Sequence, residues 1–135
     1  MPATADLPAL PRLRALSRYG VGVDTVDVDA ASRRGVVVAN VPHYGTEEVS
    51  DHALALLLTT ARATARLDAS VRAGQWDVGA VGPLHRIAGR TLGLVGFGAI
   101  GQAVARKARA FGYRVVAYEV TAAVGEAADD GTPFV

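Results

Sequence analysis

The stretch "TLGLVGFGAIGQAVARKARAFGYRVVAYEV", residues 91–120, decides the fold. "TLGLV" is a compact apolar run of the kind buried in a parallel sheet. It leads directly into Gly96, Phe97, Gly98, Ala99, Ile100 and Gly101, a GxGxxG spacing. Gly96 permits the tight turn out of the strand, Gly98 removes a side chain that would block a pyrophosphate, and Gly101 lets the following helix approach the strand closely. The helix "AIGQAVARKARAF" then aims its N-terminal amides and the positive end of its dipole at the phosphates. Gly112 ends it, and "RVVAY" supplies a second strand. At that strand's end Glu119 stands eighteen residues beyond Gly101, where a carboxylate accepts hydrogen bonds from the adenosine ribose hydroxyls. Strand, glycines, helix, strand and acid in register point to dinucleotide binding, whereas GxGxxG alone often marks only a flexible turn.

Outside this stretch, composition narrows the classes. The 135 residues are 50% hydrophobic and carry a net charge of +1. Arginines are scattered (Arg12, Arg14, Arg18, Arg33, Arg34, Arg62, Arg66) rather than massed, so no basic track is available for nucleic acid. With no cysteine, thiol nucleophiles, disulfides and cysteine metal sites are excluded. The opening "MPATADLPALPRLRALSRYG" has early prolines and Asp6 but no unbroken apolar core, fitting neither a signal peptide nor a membrane span; the expectation is a cytoplasmic protein.

Toward the N-terminus the pattern alternates. "LRALS" is a short apolar run, "YGVGVD" a glycine-rich turn, and Asp27 caps a short helix that ends at Gly35. "GVVVANV" reads as a buried strand over about 36–39. A long helix is expected over about 46–73, capped by Thr46, with Glu47 and Glu48 complementing its dipole and Gly74 stopping it. Its apolar stripe is Val49, Ala53, Leu56, Leu57 and Ala61, widened by Leu54 and Leu58, so the helix needs cover on two sides, within its own core or from a second subunit. "QWDVGAVGPLHRIAGR" is a loop or arm, and "VTAAVGEAADDGTPFV" is weakly patterned and ragged. The histidines His43, His52 and His85 are too dispersed to suggest a metal site; His52 reads as structural, the other two as solvated or interdomain contacts.

Several motifs in order, "RYGVGVDTVDVDAASRRGVVVANVP", "TEEVSDHALALLL", "VRAGQWD" and "GRTLGLVGFGAIGQAVARKARAFGYRVVAYE", resemble the D-isomer-specific 2-hydroxyacid dehydrogenases, from about residue 10 to 118. That family includes phosphoglycerate and formate dehydrogenases and the C-terminal-binding-protein corepressors; "VGPLHR" leans toward the corepressor-like branch. The resemblance implies an α/β architecture in which residues 1–41 end a flavodoxin-like substrate domain and residues 42–135 begin an incomplete Rossmann-type, NAD-binding parallel sheet entered through the long helix.

By the same likeness, Gly20, Val21 and Gly22 offer backbone amides to a substrate carboxylate, with Val21 also touching the nicotinamide side. A plain strand-end turn is the alternative reading of those three residues. Ala99 and Ile100 cover the pyrophosphate, and Glu119 holds the ribose. The implied reaction is hydride transfer between NAD(H) and a small 2-hydroxy or 2-oxo acid, in a homodimer formed through the long helix. Many relatives have arginine where Ala99 stands and aspartate where Glu119 stands; Thr25 replaces a common asparagine. The family's catalytic arginine, histidine and carboxylate match no position here, so the chain reads as a fragment with no catalytic residue of its own. A non-catalytic NAD-sensing self-association module and an inert truncated product are the competing readings.

Overall fold

The computed structural model describes residues 10–135; the reading of the first nine residues lies outside the described residues. The chain divides into two compact units, Met1–Tyr44 and Gly45–Val135.

In the first unit, β1 (Ala15–Ser17) and β2 (Val37–Ala39) pair in parallel, with Leu16 opposite Val38, and α1 (Val28–Arg33) connects them. Asp27 caps α1 as its position predicts, its side chain accepting from the Ala30 amide at 2.8 Å. That bond satisfies one of the donors a helix start leaves open. Ala31 and Val36 form the small core, with Leu13, Leu16 and Val38 packed on it. The strand read as buried is covered on one side only: Val38 faces this core and Val37 is 63% exposed.

In the second unit, β3 (Thr91–Val95) and β4 (Arg114–Tyr118) pair in parallel from Thr91 opposite Arg114 to Val95 opposite Tyr118, with α4 (Ala99–Ala110) as the crossover. This is the α/β, parallel-strand arrangement that the glycine stretch predicts. Phe97, Val104, Ala105, Ala108, Tyr113, Val115 and Ala117 form the core with Leu54. Three of those positions are alanine, so α4 lies close to the strands beneath it. "TLGLV" alternates rather than being buried throughout: Leu92 and Leu94 pack on the core while Val95 is 91% exposed.

The long helix is broken. α2 (Thr46–Ala61) and α3 (Thr64–Arg72) meet at Ala63, which takes a left-handed φ of 52°. Thr60 donates its hydroxyl back to the Leu56 carbonyl at 2.9 Å, a bond that bends helices. Arg62, the C-cap of α2, donates to the His85 carbonyl and Arg66, in α3, to the Ala80 carbonyl, at 3.2 and 3.1 Å, so both sides of the break are tied to the arm. The cap also moves, from Thr46 to Gly45, with no side-chain cap bond among the described residues.

The seam of α2 is only part of the stripe read from spacing. Leu54, one of the residues that widened the stripe, is buried, with Ala53 and Leu57 beside it, while Val49 and Leu56 are exposed. Burying one leucine stabilises by about 1.5–3 kcal/mol. α2 is also held to α4 by charge. Lys107 Nζ lies 2.5 Å from Asp51 Oδ1, 2.8 Å from Glu47 Oε2 and 2.8 Å from the buried Ser50 hydroxyl. The Asp51 and Glu47 hydrogen bonds raise the Lys107 pKa, and Lys107 lowers that of Glu47.

The segment read as ragged is folded. After β4 the chain turns back through Ala128–Gly131 and returns parallel to β4, with Ala117 bridged to Phe134. The Ala117 amide donates to the Pro133 carbonyl at 3.0 Å, and the Val135 amide to the Ala117 carbonyl at 2.9 Å. Its order comes from main-chain pairing with β4, polar contacts with α4 and the isolated apolar contacts of Ala128 and Phe134 with the core, none of which repeats along the segment, which is why periodicity misses it.

Candidate nucleotide site

Residues 96–101 and Glu119 come together at the carboxyl ends of β3 and β4. Gly96 leaves the strand with φ 95°, a conformation that L side chains rarely adopt. A Cβ at Gly101 would stand 2.4 Å from the Gly96 carbonyl oxygen, so only glycine allows α4 to start this close to the turn. A Cβ at Gly98 would meet nothing within 4 Å. Open space over Gly98 and close packing at Gly101 are the two features a pyrophosphate cradle requires.

The helix start faces that space. Gly98 is the N-cap of α4 and makes no side-chain cap bond among the described residues, and the first main-chain bond of the helix is from the Gln102 amide to the Gly98 carbonyl at 3.0 Å. The amides of the first turn and the dipole behind them suit an anion. Ala99 and Ile100, the first two residues of α4, carry small or apolar exposed side chains.

Glu119 sits beside the turn and is tied to it. Its Oε2 accepts from the Phe97 amide at 2.8 Å and its Oε1 from the Val120 amide at 2.9 Å. A carboxylate has about four acceptor positions, so both oxygens keep capacity for hydroxyl donors. Gln102 donates its amide to the Phe97 carbonyl at 3.0 Å, and the Phe97 ring is buried. The turn is therefore gripped at the nitrogen, the carbonyl and the ring of one residue. A cavity of about 420 Å³ opens beside it, and Arg109, Asp130 and Phe134 line it together with Phe97, Gln102 and Glu119.

Gly20, Val21 and Gly22 lie in the first unit, in the turn that follows β1. Asn40 Nδ2 donates to the Val21 carbonyl at 2.6 Å, and the Val41 amide donates to the Gly20 carbonyl at 3.1 Å. Arg18 donates to the Thr25 hydroxyl at 2.7 Å, so the threonine in place of a common asparagine has a structural partner. Asn40 and Gln102 escaped the sequence reading. Their signal was position alone, just past a strand and one turn into a helix.

The three histidines are exposed, so His52, read as structural, projects from α2 outside the core. No group of three potential metal ligands occurs among the described residues. No helix among them is long and apolar enough to cross a membrane.

Residues 54–135 match the family model described as D-isomer specific 2-hydroxyacid dehydrogenase, NAD binding domain. Over 125 residues the chain is 46% identical to a D-3-phosphoglycerate dehydrogenase of Mycobacterium leprae, covering 93% of this chain and 24% of that protein. It is 45% identical over 117 residues to a glyoxylate reductase of Thermococcus gammatolerans, covering 82% of this chain and 35% of that protein. The fold superposes on a D-lactate dehydrogenase of Aquifex aeolicus, solved with NAD and lactic acid, with a TM-score of 0.81 and 28% identity over 98% of this chain and 40% of that one. The chain thus spans about a quarter to a third of the curated relatives it matches. With the parallel βαβ unit, the open Gly98 and the acid at the end of β4, these matches make the chain a member of the D-isomer specific 2-hydroxyacid dehydrogenase family, carrying sequence of its NAD-binding domain.

Proposed function

We propose that this chain supplies the first βαβ unit of the cofactor site in an NAD-dependent dehydrogenase that moves a hydride between NAD(H) and a small D-2-hydroxy or 2-oxo acid. The observation that carries this reading is the contrast between Gly98, open to a ligand, and Gly101, closed against Gly96. NAD, when bound, supplies the hydride donor or acceptor. The amides of residues 98–101 would hold its pyrophosphate, Ala99 and Ile100 would cover it, and Glu119 would accept from the adenosine ribose. In the same reading Gly20, Val21 and Gly22 present amides to the substrate carboxylate, a role suited to a glycine-flanked turn. Residues 1–41 belong with the substrate domain and residues 42–135 with the cofactor domain.

Glu119 should also select the cofactor. Its charge repels a ribose 2′-phosphate, and the arginines at the cavity are already engaged, Arg106 with Glu47 at 3.1 Å and Arg109 with Asp130 at 2.6 Å. NAD is expected to bind more tightly than NADP to the polypeptide that carries this chain, as measured by calorimetry, and equal affinities would contradict the role of Glu119. Gly98→Val should abolish binding of both while leaving the melting temperature near its original value, because the added carbon atoms enter open space. Normal binding by that variant would remove the assignment.

The partner is a second copy of the chain, favoured by exposed apolar side chains on α2 (Val49, Leu56) and on the arm (Val78, and Trp76 at 89% exposure). The same surface favours a second reading, a non-catalytic module in which NAD(H) biases self-association. Turnover of a 2-oxo acid by the complete polypeptide would decide for the enzyme; NAD-dependent assembly without turnover would decide for the module.

A further inference from the structure

The turn residue Phe97 owes its place to more than its own neighbours. Its ring meets Phe134 edge-on, with centroids 5.7 Å apart and planes at 85°. Phe134 lies in the segment returning along β4, and that segment is fastened to α4 by three polar side chains. Arg109 Nη1 donates to Asp130 Oδ2 at 2.6 Å, and Arg109 Nη2 donates to the Thr132 hydroxyl. The Thr132 hydroxyl donates in turn to Asp130 Oδ1 at 2.6 Å, and the Thr132 amide donates to the same oxygen at 2.9 Å. Thr132 is fully buried, so its hydroxyl has no water to turn to if these partners are lost. A polar knot two residues from Phe134 thus bears on the residue whose amide meets Glu119 and whose carbonyl meets Gln102.

We propose that Arg109, Asp130 and Thr132 are positioning residues for the nucleotide turn, setting NAD affinity through the Phe134 and Phe97 rings. The inference rests on the nucleotide site proposed above. A well-placed edge-to-face pair contributes about 0.5–1.5 kcal/mol, and loss of its geometry loosens a turn that must be pre-organised to bind.

The test measures NAD dissociation constants by calorimetry, well below the melting temperature, in the polypeptide that carries this chain. Thr132→Val keeps the shape and removes the hydroxyl; Phe134→Leu keeps the knot and removes the ring. Each is expected to raise the dissociation constant about threefold to tenfold. Thr132→Ser, which restores the hydroxyl, should bind within about twofold of the original protein. Unchanged affinity in Phe134→Leu, with or without a lower melting temperature, overturns the proposal and leaves the knot as fold support alone. That variant decides the matter even if Thr132→Val does not fold. If the unsubstituted protein binds no NAD, the nucleotide site itself fails, and the inference with it.

Discussion

Gly98 and Gly101 stand one helical turn apart, yet a methyl group at each meets opposite surroundings. At Gly101 it would press on the Gly96 carbonyl oxygen at 2.4 Å, a main-chain atom that cannot swing away as a flexible side chain could. Gly101→Ala is expected to lower stability by about 1–3 kcal/mol and to weaken NAD binding as α4 is pushed off the turn. Denaturant unfolding and calorimetry check both, and an unchanged midpoint would refute the close approach. Asp130 makes a pH prediction at the same scale. The Arg109 and Thr132 hydrogen bonds hold its carboxyl down from 3.8 to about 2. A depressed carboxylate contributes stability that is present above its unfolded pKa and lost as pH falls through its folded one. The stability gap between the original protein and Asp130→Asn should therefore stay constant above about pH 5 and close between about pH 4 and 2. A gap that persists below that window would mean Asp130 contributes by some means other than its charge.

Among elements, the α2–α3 break shows a local pattern overruled by distant partners. Residues 46–73 have helical spacing, and no proline or glycine interrupts them. The break comes from the Thr60 back-bond and from Arg62 and Arg66 reaching carbonyls on the arm. Its cost concentrates at Ala63, a non-glycine residue at φ 52°, where the left-handed region is unfavourable by about 1–2 kcal/mol. Ala63→Gly should thus stabilise by about 0.5–1 kcal/mol, whereas in a continuous helix the same change would destabilise by about as much. A thermal melt of that single variant reads the sign directly. The segment after β4 makes the complementary case: it has little apolar periodicity, yet it is ordered by its pairing with β4, by Phe134 on the core and by Arg109, Asp130 and the buried Thr132.

For the whole molecule, chemistry and cohesion pull apart. The nucleotide turn is assembled from glycines, main-chain amides and one carboxylate placed for the ribose, and the three histidines are exposed. A bound nicotinamide gains little without a group to polarise the carbonyl or carry its proton. The 135-residue chain by itself is expected to show no turnover of NADH with pyruvate, glyoxylate or hydroxypyruvate, since none of the residues proposed above acts as acid or base at a substrate carbonyl. It should also self-associate, because Val95, Trp76, Val78 and Val120 leave much apolar surface in water. Sedimentation velocity tests the second half, where a monodisperse monomer would refute it; turnover that disappears in Gly98→Val would refute the first.

What was legible in the sequence alone was whatever depends on a few neighbouring residues: the Asp27 cap, the strand, glycine turn and helix of residues 91–110, and the stop before Gly112. Those features follow from backbone sterics and from hydrogen bonds that close within one turn, so a short window contains their cause. The tertiary structure decided the helix break at Ala63, the buried seam through Leu54, the one-sided cover of β2 and β3, and the ordered return of the chain to Phe134. Each depends on groups brought together from separate parts of the sequence, such as Arg62 with His85 or Arg109 with Asp130. Pairings of that kind leave no periodic trace, because one hydrogen bond between distant residues constrains neither the spacing nor the hydropathy of the residues around it.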